Sequence, residues 1–374
     1  MEYQKKRKRN SNIEFLRLLC MFVIVLHHSI LYSGALMESF SVNSLWSYLF
    51  AIGGKLGANC FFAISAYYLL DKKFSLKSVL NLHNSIWVYS ILFFALNLII
   101  SFRPFTFRDI PETILPVIYN SYWFCSTYIA LLFLAPFLNI IIERIEKQKH
   151  ALSLAIIGGG GILIPATLLP GSVAFKDNSH IGSVLVIYFL VAYLKKYIET
   201  PNKRRCVAIF LVSSFIMWSS GVALNLIGTK LGKASIIENS AFWMTGESVF
   251  MILAGVSLFW IFLLLPERES SIINRISRGT IDVYLIHMNH FVYMWLWSEC
   301  FHIIRHLADW WYPLYVIGCS TVVLGVGLLC GNLRVFVEKK FFNKQQSKLQ
   351  RCVDKIDGIM NSDYSLMGSD RASS

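Results

Sequence analysis

NIEFLRLLCMFVIVLHHS, residues Asn12 to Ser29, is apolar over a length that fits a bilayer, yet it carries Glu14, Arg17, His27 and His28. Ionisable side chains are expensive in hydrocarbon and turn toward a cavity or a partner rather than toward lipid. The stretch lacks the small-residue cleavage site of a secretory signal, and its polar residues lie within the apolar run. It reads as a spanning helix that stays in the mature protein.

Outward from it, apolar segments of similar length recur. Of the 374 residues, 55% are hydrophobic and 15% charged, and the mean hydropathy is +0.54. A soluble domain of this size could not hide so much apolar surface. Segments of spanning length, about 17–26 residues, fall near 13–33, 45–70, 84–101, 122–142, 151–169, 182–198, 207–227, 243–265, 281–301 and 314–333. The expected fold is all-α: a polytopic membrane helix bundle with about ten transmembrane helices.

Basic residues orient such a bundle, because short cytoplasmic loops hold the Lys/Arg excess. A cytoplasmic N-terminus places 27 Lys/Arg on inner stretches and 6 on outer loops, with Arg17 and Lys55 inside helices. Both termini are then cytoplasmic, and the expected location is the cell membrane. Three parts follow: a basic cytoplasmic N-terminus at 1–11, a transmembrane domain at 12–333, and a polar cytoplasmic tail at 334–374. The tail is rich in Lys, Gln, Ser and Asp and reads as disordered. The longest outer loop, Phe102 to Ser121, sets Pro104, Pro111 and Pro116 among apolar residues. It is expected to pack at the interface or dip part-way into the bundle.

The same pattern excludes several function classes. A net charge of +13 that alternates loop by loop marks topology and contacts with anionic membrane lipid, so no nucleic-acid partner is expected. The basic run Lys5 to Arg9 belongs to that pattern. Eight scattered cysteines without a C-x-x-C pair argue against structural zinc or a disulfide framework, and no metal is expected. Gly158 to Gly161 lie inside the fifth segment without the strand or GK[ST] of a phosphate loop, and point to close helix packing or local unwinding. The sequence shows no fixed-period repeat and no inverted pair of broken segments of the transporter kind.

The chemistry concentrates in the first helix. At about 100° and 1.5 Å per residue, Arg17 and His28 differ by roughly 20° in direction and about 16 Å in depth. Glu14 lies near the same face, about 60° from Arg17, whereas His27 is rotated by about 80°. A buried neutral histidine can take a proton from a hydroxyl. An arginine near the cytoplasmic edge suits a phosphate-bearing ligand, since its guanidinium is permanently charged and forks onto oxyanions. The alternative is a Glu14–Arg17 ion pair at the interface, with His28 hydrogen-bonded to another helix.

The second segment reads GGKLGANCFFAISAYYLL. Lys55 and Asn59 stand i,i+4 on one face, its glycines and alanines permit close backbone approach, and Ser65 and Tyr67 lie in its cytoplasmic half. Trp123 opens the fourth segment, as a belt aromatic or as a substrate contact. Tyr284, His287 and His290 punctuate the ninth, where His287 is either a structural hydrogen-bonding group or a site wall.

At these residues a family comes into view. NIEFLRLLCMFVIVLHH resembles the first helix of the acyltransferase-3 membrane acyltransferases, whose pattern is an arginine, ten residues and a histidine, as at Arg17 and His28. FFAISAYYLL resembles their F-F-x-x-S-G-Y stretch. SYWFCSTYIALLFLAPFLN and VYLIHMNHF look like segments of the branch that O-acetylates bacterial surface polysaccharides. The resemblance runs in matching order from about Asn12 to Asn332. It implies a bundle of about ten helices that moves an acyl group from cytoplasmic acyl-CoA, here acetyl-CoA as co-substrate, to a hydroxyl of a glycan or glycolipid. It makes His28 the essential histidine and Arg17 its partner toward CoA, with Glu14 as a neighbour. Lys55, Asn59, Ser65, Tyr67, Lys77, Trp123 and His287 become candidate donor- or substrate-binding residues. The chain departs from the pattern twice: Ala66 replaces the usual glycine, and Lys77, Asn81 and His83 stand where paired arginines are common. A glycan or lipid flippase without covalent chemistry, and the same fold carrying another acyl group such as succinyl, remain alternatives.

Overall fold

The first helix, α1 (Ser11–Ser33), starts at Asn10, whose side chain accepts the Asn12 N–H. It stops at Gly34, where a φ of 81° gives the left-handed turn that glycine adopts without strain. The structure is a computed structural model that describes residues 9–169, 181–198, 200–341 and 347–361. The basic residues Lys5 to Lys8, Lys176 of the outer-loop count and the tail beyond Asn361 lie outside the described residues.

Helices continue along the chain. α2 (Ser44–Ala51) and α3 (Gly53–Leu69) form the second span, α4 (Leu76–Ile100) the third, and α5 (Asp109–Ile114) lies in the loop before α6 (Trp123–Arg144). α7 (Lys147–Ser153), a π-helical stretch at Leu154–Leu163 and α8 (Ile164–Leu168) make the fifth span. Then come α9 (Ile181–Tyr197), α10 (Lys203–Leu231), α11 (Ala234–Glu238), α12 (Val249–Leu263), α13 (Ser271–Ile276) and α14 (Thr280–His287). A second π-helical stretch at Trp295–Cys300 precedes α15 (Tyr312–Phe341) and α16 (Ser347–Met360). No strand occurs among the described residues. Among the described residues, eight helical stretches are long and apolar enough to cross a membrane, so the all-α polytopic reading holds.

The centre of the bundle is the α1–α3 seam, with α12 and α9 against α3 and α15 and α14 against α1. Close approach explains the glycines of the second segment. A Cβ at Gly53 would strike the Val23 carbonyl, one at Gly54 the His27 ring and one at Gly57 the Cys20 carbonyl. Small residues let packed backbones meet where lipid offers no hydrophobic drive between helices. The base of α1 is fastened by polar ties: Asn12 Nδ2 donates to Pro266 O at 2.8 Å, and Ser11 Oγ donates to Asn274 Oδ1 at 2.9 Å.

Two expectations need correction. The segment at 281–301 is not one helix, because α14 ends at His287 and the chain turns before the π-helical stretch. Asn289 causes the break: its Oδ1 accepts the Phe291 N–H at 3.0 Å, and its Nδ2 donates to Tyr122 Oη at 2.6 Å. A side chain that bonds the backbone two residues on competes with the helix ladder. Irregular backbone survives at this depth because it is buried in protein; His287, Asn289 and Phe291 have almost no exposed surface.

The tail also departs from expectation, since α15 runs on to Phe341 and Ser347–Met360 are helical rather than disordered. Val353 is buried, Asp357 Oδ1 accepts the Leu76 N–H at 2.7 Å, and Asn361 exchanges two hydrogen bonds with the Phe74 backbone. An apolar stripe plus a carboxylate that caps α4, whose own Ser75 makes no capping bond, gives this short helix a docking place. At Gly158 to Gly161 the π-helical widening bears out local unwinding.

Candidate active site

His28 is buried on α1, and its Nδ1 lies 2.9 Å from Nε2 of His287 at the end of α14. His287 Nδ1 in turn is 2.5 Å from the Val283 carbonyl. A carbonyl only accepts, so His287 carries its hydrogen on Nδ1 and, as a neutral ring, presents a lone pair at Nε2. That lone pair accepts the His28 Nδ1–H, which leaves His28 Nε2 as the lone pair of a neutral imidazole. No hydrogen bond to His28 Nε2 occurs among the described residues. The chain of three groups fixes both tautomers without a carboxylate.

His28 lines a cavity of about 510 Å³, walled by the outer half of α1, the start of α3, the start of α6 and the end of the 102–121 loop. On the orientation given by the basic residues, this is the outer side of the bundle. Tyr32, Tyr119, Trp123, Phe124 and Tyr284 supply aromatic walls, and Lys55 and Asn120 add polar groups. The Lys55 ammonium sits 3.8 Å from the centre of the Trp123 ring, within cation–π range, and lines the same cavity as His28.

The two adjacent histidines are separated by their bonds. His27 Nδ1 is held 2.5 Å from the Ala51 carbonyl, at the junction of α2 and α3. His27 thus reaches the cavity wall with Nδ1 committed to a backbone tie, whereas His28 receives its orientation from a second histidine.

Arg17, about 16 Å along α1 from His28, is half-buried, and its Nε has no hydrogen-bond partner among the described residues. The expected alternative of a Glu14–Arg17 ion pair is not formed among the described residues. Glu14 Oε2 accepts from Ser277 Oγ at 2.7 Å and serves as an anchor for α1. A buried guanidinium donor left unengaged on a spanning helix is costly unless a ligand anion meets it.

The remaining candidates divide. Lys55 and Trp123 join His28 in the cavity, with His287 directly behind it. Asn59 donates to Gly246 O at 3.0 Å and packs against Gly255, so it holds α3 to the approach to α12. Ser65 Oγ donates to Phe61 O of its own helix at 2.8 Å. Tyr67 packs on Phe259 and Trp260, with Lys195 Nζ 4.2 Å from its ring centre. Lys77 is exposed at the start of α4, away from the cavity. Among the lining residues that the sequence reading of the site did not name are Tyr32, Tyr119, Asn120 and Phe124. Tyr32 lies one turn after His28 and was reachable by i,i+4 spacing. Tyr119, Asn120 and Phe124 come from a loop and a helix start without periodic signal; Asn120 has a φ of 55°, a conformation that asparagine tolerates.

A buried histidine relay facing an aromatic cavity, with an arginine below it, fits group transfer. A family model described as an acyltransferase domain, acyltransferase 3, matches residues 10–330. The chain belongs to the acyltransferase-3 family. No curated protein and no solved structure gave a significant match. As an acyltransferase-3 protein it is a multi-pass membrane acyltransferase, and the matched range takes in α1 and α14, which build the relay. The departures noted at Ala66 and Lys77 fall outside this acyltransferase's cavity lining.

Proposed function

We propose that this acyltransferase resides in the cell membrane and moves an acetyl group from cytoplasmic acetyl-CoA to a hydroxyl of a cell-surface polysaccharide or its lipid-linked precursor. The observation that carries the reading is the Val283–His287–His28 chain, which ends in a lone pair at His28 inside an aromatic cavity. Flat aromatic walls beside a few polar groups suit the ring faces and hydroxyls of a sugar. On the opposite side, Arg17 would meet a CoA phosphate, and the thioester would reach upward along α1.

In the reaction, His28 Nε2 takes the proton of the acceptor hydroxyl as its oxygen attacks the thioester carbonyl. The new C–O bond gives a tetrahedral oxyanion, which the Lys55 ammonium stabilises. Collapse breaks the C–S bond, and the proton on His28 Nε2 passes to the departing CoA sulfur. His287 keeps the His28 ring in one tautomer throughout and accepts from Nδ1–H more strongly while His28 is imidazolium. A flippase would need none of this relay.

Mass spectrometry of surface glycans tests the proposal in cells that carry the wild type, His28→Ala or His27→Ala. Removing a general base costs about 10²–10⁴-fold, so the acetyl increment should vanish with His28→Ala. His27→Ala should retain it in proportion to its folded amount. Unchanged acetylation with His28→Ala, together with loss in a well-folded His27→Ala, overturns the assignment.

A further inference from the structure

A second cluster lies in the outer loop, apart from the relay. Asp109 and Glu112, three apart on α5 and so on one face, converge on His290, which follows the break in the ninth segment. One ligand atom from each lies within 4.8 Å of the other two. Both His290 ring nitrogens are buried and have no hydrogen-bond partner among the described residues. A half-buried imidazole whose two nitrogens are both out of reach of solvent and unengaged needs a reason.

The spacing supplies one. The imidazole and the carboxylates are close, yet no hydrogen bond joins them. Such a gap suits an ion bonded at about 2.0–2.2 Å to each side, after side-chain closure of under about 1 Å. One histidine with two carboxylates is a donor set for zinc-like divalent cations. Asp109 is ready as a ligand. The Thr106 N–H at 2.7 Å holds its Oδ2, and the Arg103 guanidinium meets its Oδ1 at 2.5 Å, so the carboxylate is fixed beside His290. Arg103 on Asp109 and Arg108 on Glu112 compete with a cation; Arg108 is largely exposed and free to swing out.

We propose that Asp109, Glu112 and His290 form a binding site for a zinc-class divalent cation that clasps the outer loop to the break after α14. The loop is already drawn there, since Arg103 Nε donates to the His290 carbonyl at 3.3 Å; within the loop, Ser121 Oγ donates to the Glu112 carbonyl at 3.2 Å. Its far end carries Tyr119 and Asn120 into the cavity wall, so the ion would brace the wall of the acceptor side.

The test uses the full chain in detergent, stripped with chelator and titrated with Zn²⁺ by calorimetry, then with Co²⁺ by visible absorption. The wild type should bind one zinc that His290→Ala and His290→Gln both lose or weaken at least tenfold, with loss of the matching cobalt bands. Two variants of different bulk, both eluting as monodisperse protein, guard against a folding artefact. Arg108→Ala removes an exposed competing cation worth a surface ion pair and should tighten zinc about threefold. Identical titrations for wild type and both His290 variants would overturn the site by assigning the zinc to exposed cysteines. A wild type that takes up protons but no zinc at His290 would overturn it equally.

Discussion

Two segments of spanning length and hydropathy depart from α-helical geometry, and they do so differently. The fifth widens into a π-helix across Leu154–Leu163 where four glycines follow one another. Only 11% of that span's apolar window is buried in protein. The ninth breaks after His287, where side chains bond across the bundle: His287 to His28 and Val283, Asn289 to Phe291 and Tyr122. Glycine loosens a helix passively, whereas a side chain that bonds elsewhere redirects it and places groups for chemistry.

The largest effect that would sharpen this contrast is at His287. His287→Ala removes the acceptor at His28 Nδ1 and frees the ring to turn and change tautomer. Turnover should fall about 10²-fold while the KM for the acyl donor stays close to wild type, because the change lies away from Arg17. His287→Gln, whose amide oxygen can accept from Nδ1–H, should recover part of the loss. Wild-type turnover in purified His287→Ala would show that the ninth segment's break has no part in the reaction.

Asn289→Ala comes next. It removes the bond to Phe291 N–H and the bond to Tyr122 Oη, while Tyr122 keeps its donation to Leu285 O at 3.2 Å. Loss of two buried hydrogen bonds costs about 1–3 kcal/mol, so a lower Tm in detergent and a turnover about tenfold down are expected. A variant with unchanged Tm and turnover would place the cause of the break in the backbone rather than in Asn289.

Much of this contrast was hidden in the sequence, for identifiable reasons. The α1 face was legible, because 3.6-residue periodicity sets Arg17 and His28 in line, and the small residues of α3 declared the seam. His287 was visible as a residue but not as the partner of His28, since they are 259 positions apart and spacing carries no information across helices. Asn289 was masked by an apolar run that satisfies a hydropathy window whether or not the backbone turns. The wall from Tyr119 and Asn120 had no periodic signal, and α16 was concealed by polar composition because its apolar stripe is narrow. Glu14 misled in the other direction: its charge suggested Arg17 as partner, while the fold brings Ser277 to it.

The smallest effect is at Gly160. A Cβ there would meet nothing closer than the Ala155 carbonyl at 3.7 Å, ordinary van der Waals contact. The site is exposed on the fifth span, and no side-chain bond depends on it. Replacing glycine by alanine at a compatible helical position reduces the freedom of the unfolded chain, and is worth about 0.4–1 kcal/mol. Gly160→Ala should therefore raise the Tm slightly and leave turnover at the wild-type level. A tenfold loss of turnover in a stable Gly160→Ala protein would mean that the widened turn must flex during the reaction. That result would erase the distinction drawn here, since glycine loosening would then serve catalysis as directly as the bonded break at Asn289.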